Sequence, residues 1–255
     1  MTSTDPAPCA APAVIAQGPA GGVWVLRHGE SVANVAGLIV SVPGPRALEE
    51  VGLTSLGREQ ARAAGCRALG HGFGPDTRVV TSDFARARQT AEEFAAVLGA
   101  AAPTIDERLR ERSFGAHDEG LATAYETVWA RDRDRTPQTD EVEEVGGVAA
   151  RVLAALRDAD ALAAGRGSAD GLAAVASAGA EGAADARPVV LVAHGDVLQI
   201  ALALGEGRDP HEHREVPHLG NAELRRLGSG RGAAPVGRTA AQSGAPAGHG
   251  TTPQP

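Results

Sequence analysis

The sequence predicts an α/β protein, a three-layer α/β/α sandwich with a mostly parallel central sheet. Three observations predict it. Strand and helix candidates alternate along the chain, the pattern of helices covering a sheet. The runs at 23–26 and 189–193 are apolar without alternation, which suits central strands covered on both faces. Both runs then end alike, in "VLRHGE" at 25–30 and "LVAHGD" at 191–196, placing His-Gly where such sheets bind ligands.

The strand candidates in order are 23–27, 78–81, a short one at 104–105, 188–193 and 222–227. The helix candidates are 54–69, 83–98, 119–132, 144–161 and 196–204. Thr54 and Ser82 are expected N-caps, because a hydroxyl oxygen accepts from free N–H groups of a first turn. Phe84, Ala87, Ala91, Phe94 and Leu98 recur at helical spacing and mark a core face. Were the two His-Gly strands neighbours, His28 and His194 would face one site. Gly29 and Gly195 would then let the backbone approach a ligand. The helix after Gly195 would aim its first N–H groups there.

The 255 residues suit one sizeable domain with tails. Residues 1–21 and 229–255 are rich in Ala, Pro and Gly and read as disordered tails around a domain at 22–228. The stretch 163–187 reads as a flexible or partly helical surface insertion, an Ala-rich helix being the alternative for its middle. Aromatic residues make up only 3%, so Ala, Val and Leu must build the core.

The net charge of −8 argues against a nucleic-acid binder, since phosphate-backbone affinity needs a basic face. No apolar run approaches the roughly 20 residues of a membrane span, and the N-terminus lacks the features of a signal peptide. A cytoplasmic location follows as the expectation, and nothing in the sequence sets an oligomeric state. Cys9 and Cys66 show neither zinc-ligand spacing nor a disulfide framework. Lysine is absent, so all 24 basic residues are arginine. That removes Schiff-base chemistry and the phosphate-loop lysine. A phosphate site must then use Arg, His and backbone N–H groups, and the planar guanidinium fork suits it.

Four segments carry the chemistry. They are Arg27-His28-Gly29-Glu30-Ser31 with Asn34; "TSDFARARQTAEE" at 81–93 with Arg86; "ERLRERSFG" at 107–115 with Glu111; and "VAHGD" at 192–196 with His194. In this order the four segments resemble the histidine phosphatase superfamily, also called phosphoglycerate-mutase-like. "GLTSLGREQA" at 52–61 and "NAEL" at 221–224 resemble it too. The resemblance implies His28 as nucleophile and Glu111 as general acid, then base. It implies Arg27, Arg86 and His194 on the phosphoryl oxygens, with Asn34 assisting. Ser31, Arg112 and Gly195 are further candidates for binding substrate. It implies a small phosphorylated substrate and no metal or other cofactor, the arginines standing in for Mg²⁺.

The physics required is specific. A histidine attacks phosphorus only when neutral, and nearby guanidiniums disfavour imidazolium. Its ring must be held in one tautomer. Glu111 must start protonated, so its pKa should be raised, which Arg112 would oppose unless it points away. A phosphatase is the first expectation. A phosphoglycerate-type mutase is the second, with Arg112 as its substrate arginine and "VWARDR" at 128–133 a faint further likeness. The mutase pattern's lysine and its "ERHYG" are missing, "ERSFG" standing at 111–115. A catalytically inert sensor of phosphorylated ligands is an expectation of another class. The loop 36–50 and the segment 116–147 should cover the site. His211, His213 and His218 lack recognisable metal spacing. The arginines of "LRRL" at 224–227 should face solvent from an edge strand. Arg131, Arg133 and Arg135 read as surface charges paired with Asp132 and Asp134, or else as the rim of the site.

Overall fold

The computed structural model describes residues 22–165 and 187–228. The two tails and nearly all of the expected insertion lie outside the described residues. Five strands form one sheet: β1 (Gly22–Arg27), β2 (Arg78–Thr81), β3 (Thr104–Ile105), β4 (Pro188–Ala193) and β5 (Leu224–Arg226). Their order is β3-β2-β4-β1-β5, parallel throughout except for antiparallel β5 at one edge.

Six α-helices accompany the sheet among the described residues: α1 (Val32–Ala36), α2 (Ser55–Gly70), α3 (Ala85–Leu98), α4 (Tyr125–Asp134), α5 (Val145–Ala163) and α6 (Gly195–Gly205). None is long and apolar enough to cross a membrane. Strand β4 shows why its sequence does not alternate. Val189, Leu191 and Ala193 pack with α5 and α6, while Val190 and Val192 pack with α2 and α3. Both faces of the strand are core, so both must be apolar. All five residues of the α3 face named above are buried.

Some local expectations change. Thr54 does cap α2, accepting from the Gly57 N–H. The cap of α3, however, is Phe84, and Ser82 lies two residues earlier. The helix expected at 119–132 begins only at Tyr125, after a short 3-10 turn. Glu119 has φ 60° and Leu121 pairs with Leu38 across an antiparallel bridge, so the chain cannot be helical there. The edge strand is shorter than 222–227 because Ala222 sits at φ 50°. Its Arg225 does not face solvent freely. It donates to the carbonyls of Pro217 and His218 and bridges Glu223, bracing the loop that precedes the strand.

Candidate active site

Strands β1 and β4 pair with Arg27 opposite Ala193, so His28 and His194 leave the sheet side by side. Their ring centroids are 5.2 Å apart. The neighbouring glycine has a different task from the one expected. A Cβ on Gly29 would fall 2.4 Å from the Gly57 carbonyl oxygen, and one on Gly57 would fall 2.0 Å from that of Glu30. The glycines let α2 begin against the His28 loop, rather than admitting a ligand. At Gly195 a Cβ would meet Arg27 at 3.9 Å, an ordinary contact, so close approach does not demand glycine there.

Nδ1 of His28 lies 2.7 Å from the Gly29 carbonyl, so that nitrogen carries the proton and Nε2 keeps its lone pair. Burial, then the Arg86 and Arg27 guanidiniums, hold the imidazole pKa well below its usual value. His194 is displaced in the same direction, by burial first and Arg86 next. Its Nε2 is 3.0 Å from Ser82 Oγ. That oxygen accepts from the Phe84 N–H, and Nε2 is the one acceptor for its own proton among the described residues; the hydroxyl satisfied in this way leaves the His194 proton on Nδ1.

Three buried donors around these rings have no partner among the described residues: Arg27 Nε, Arg86 Nη1 and His194 Nδ1. An unsatisfied buried donor costs roughly 1–3 kcal/mol, so three together mark a place for an acceptor. The remaining contacts of the guanidiniums fix their aim. Arg27 Nη1 donates to His218 Nε2 and to the Leu219 carbonyl, at 2.8 and 2.7 Å. Arg86 donates to the Val40 carbonyl at 2.8 Å, and its Nε meets His28 Nε2 at 3.3 Å. Neither guanidinium pairs directly with a carboxylate of the described residues.

Arg27, His28, Ser31, Asn34, Arg86, Glu111 and Gly195 all line one cavity of about 130 Å³. Fully buried His194 abuts it through the His28 ring. Ser31 spends its hydroxyl as the N-cap of α1, in a reciprocal capping box with Asn34. The Asn34 carboxamide oxygen is thereby used too, while its Nδ2 makes no hydrogen bond to a described residue.

Glu111 is nearly buried, with Oε1 accepting from the Arg112 N–H at 3.0 Å. Burial raises its pKa to about 7, helped by the charge of Asp196 and opposed by Arg86, the Arg112 N–H and Arg27. The loop that carries it is fastened by Arg151 of α5. That guanidinium donates to the carbonyls of Arg108, Arg110 and Glu111 and pairs with Glu143.

Arg112 corrects an expectation. Its side chain is wholly buried and forms a two-pronged pair with Asp132, at 2.6 and 2.9 Å. It also donates to the Glu143 carbonyl, so its donors face the protein and not a substrate. Arg131, Arg133 and Arg135 do not rim the cavity either. They engage the Pro137 carbonyl, Asp134 and Asp209 respectively.

Both covering segments reach the cavity, 36–50 through Gly37, Leu38 and Val40, and 116–147 through Ala122, Tyr125 and Trp129. Tyr125, Trp129, Asp196, Arg214 and His218 are lining residues the sequence did not single out for the site. Trp129 donates to both oxygens of Asp196, stacks on Tyr125, and carries the Arg214 guanidinium 3.6 Å above its ring. "HGD" offered one signal for Asp196, an acid at the N-terminal turn of a site helix. The other two histidines of the 211–218 loop turn elsewhere, His211 to Asp209 and His213 to the Pro210 carbonyl.

The chain belongs to the histidine phosphatase superfamily (branch 1), whose model matches residues 23–239. Among relatives, "Probable phosphoglycerate mutase GpmB" of Serratia proteamaculans is 32% identical over 133 residues, 49% of this chain and 57% of that protein. This chain thus spans little more than half the length of that relative. The protein of the same description from Photorhabdus laumondii is 29% identical over 211 residues, 80% of this chain and 83% of that one. Among solved structures, the mycobacterial glucosyl-3-phosphoglycerate phosphatase has a TM-score of 0.58 at 27% identity, covering 79% of this chain and 87% of that one. The α-ribazole phosphatase of Shigella flexneri, at 19% identity and a TM-score of 0.57, covers 79% of this chain and 87% of that one and shares the fold.

Proposed function

We propose that the protein hydrolyses a small phosphomonoester through a phosphohistidine on His28. The observation that carries this reading is a trio of donors without partners among the described residues, Arg27 Nε, Arg86 Nη1 and His194 Nδ1, around a neutral histidine whose unprotonated Nε2 meets only Arg86 Nε, at 3.3 Å. A phosphoryl group offers the oxygens those donors lack, with Asn34 Nδ2 and the first N–H groups of α6 as further contacts.

Phosphoryl transfer needs in-line placement and charge stabilisation. His28 Nε2 forms a bond to phosphorus as the bond to the leaving oxygen breaks. Arg86 Nε, which meets that lone pair at 3.3 Å, turns its charge to the phosphoryl oxygens. Glu111 gives its proton to the leaving oxygen. As carboxylate, it then takes a proton from water, whose oxygen attacks phosphorus and breaks the P–N bond. His28 returns neutral and Glu111 protonated. The guanidiniums supply the positive charge, so this reading requires no metal.

The mutase reading has support in the descriptions of the curated relatives. Against it stands Arg112, the expected substrate arginine, which is committed to Asp132. The experiment is phosphate release by the full chain from p-nitrophenyl phosphate and a panel of phosphomonoesters, with EDTA present. Steady release is expected. Isomerisation of 3-phosphoglycerate faster than its hydrolysis would favour the mutase, and phosphate binding without turnover the sensor.

A further inference from the structure

We propose that the cavity is matched in charge to a single phosphoryl dianion, and that its substrate is the phosphate ester of an alcohol whose remainder is uncharged. The proposal rests on the hydrolase reading above and adds a substrate class to it.

The charged groups lining the cavity are Arg27, Arg86 and Arg214 on one side and Glu111 and Asp196 on the other. The lining imidazoles, His28 and His218, are both held neutral by burial and neighbouring guanidiniums. Glu111 holds its proton up to about pH 7. Three guanidiniums against one carboxylate leave two positive charges, the charge of one phosphate dianion. Behind the wall, Arg112 and Asp132 cancel each other.

The position of each charge matters as much as the total. Arg27 and Arg86 hold the unpartnered donors, so the surplus lies at the phosphoryl end. Arg214 is compensated where it stands. It sits over the Trp129 ring, bonds through Nη1 to Gln199 Oε1, and comes within 4.0 Å of Asp196. Asp196 is fixed in turn by the Trp129 indole N–H, with Arg112 at 3.6 Å. The lining also offers polar but uncharged groups. These are Asn34 Nδ2 and the hydroxyl of Tyr125, the chain's only tyrosine, which has no hydrogen-bond partner among the described residues. Such groups suit hydroxyls. A second anion would meet Asp196 with no uncompensated cation left to neutralise it, which is costly beside a carboxylate as buried as Asp196.

Glycerol 3-phosphate and 3-phosphoglycerate differ only in a CH₂OH replaced by a carboxylate, so they isolate this term. The measurement is their KI as competitive inhibitors of p-nitrophenyl phosphate hydrolysis by the full chain. The carboxylate compound should bind at least about ten-fold more weakly, as for an uncompensated like charge. In Asp196→Asn one negative charge is gone, and the ratio should narrow by a similar factor. Equal KI values in the wild type, inhibition by neither, or tighter binding of 3-phosphoglycerate would overturn the proposal. An unchanged ratio in a folded Asp196→Asn variant would do so too. Failure to hydrolyse p-nitrophenyl phosphate would instead strike the hydrolase reading itself.

Discussion

Ser82 Oγ lies 3.0 Å from Nε2 of His194, across two neighbouring parallel strands, and that contact decides which nitrogen of the ring carries a proton. With the hydroxyl proton given to Nε2, His194 keeps a proton on Nδ1, which has no partner among the described residues. In Ser82→Ala the tautomer is released. Turnover of p-nitrophenyl phosphate should fall about ten-fold, while stability changes by only about 1 kcal/mol, the net worth of one hydrogen bond. Steady-state kinetics beside urea unfolding would check this. Unchanged kcat would remove the serine from the account.

Arg151 does not line the cavity, yet it holds the loop that carries Glu111 through the carbonyls of Arg108, Arg110 and Glu111. Arg151→Gln should leave Glu111 poorly aimed. Hydrolysis of alkyl phosphates, whose leaving oxygen needs a proton, should drop by about 10²-fold. Hydrolysis of p-nitrophenyl phosphate should drop far less. Equal losses for both substrates would show a merely structural role.

Glu111 also links stability to pH. Its folded pKa of about 7 lies above the ordinary value of 4.5, so the folded state keeps a proton that the unfolded chain releases between those values. The carboxyl therefore penalises folding at pH 8, and the penalty fades as pH falls towards 4.5. Relative to Glu111→Gln, the wild type should gain about 3 kcal/mol over that interval, at 1.36 kcal/mol per unit. Urea unfolding of both proteins at pH 5 and pH 8 measures it, and a constant difference would contradict the assignment. Turnover of alkyl phosphates should fall as pH rises through about 7, where the acid form is lost.

Much of the site was legible because its residues stand at strand ends. The carboxyl ends of β1 and β4 placed His28 and His194 together once the strands proved adjacent, and the start of α3 brought Arg86 to them. What escaped the sequence depended on partners distant along the chain. Ser82 looks like a helix cap, but its hydroxyl reaches His194, 112 residues away. Arg112 stands in a charged run, and only the fold brings Asp132 against it, 20 residues on. Gly29 looks like room for a ligand, yet it makes room for Gly57. Trp129 and Arg214 lie on separate elements, so their stacking leaves no mark in either local sequence.

The central claim is the covalent bond to His28. The most direct measurement is a rapid quench of the enzyme with ³²P-labelled substrate under denaturing alkaline conditions, followed by mapping of the label. The account predicts an acid-labile, base-stable phosphoryl group on the fragment that contains His28. Full-rate turnover with label on another residue, or with none at His28, would contradict it.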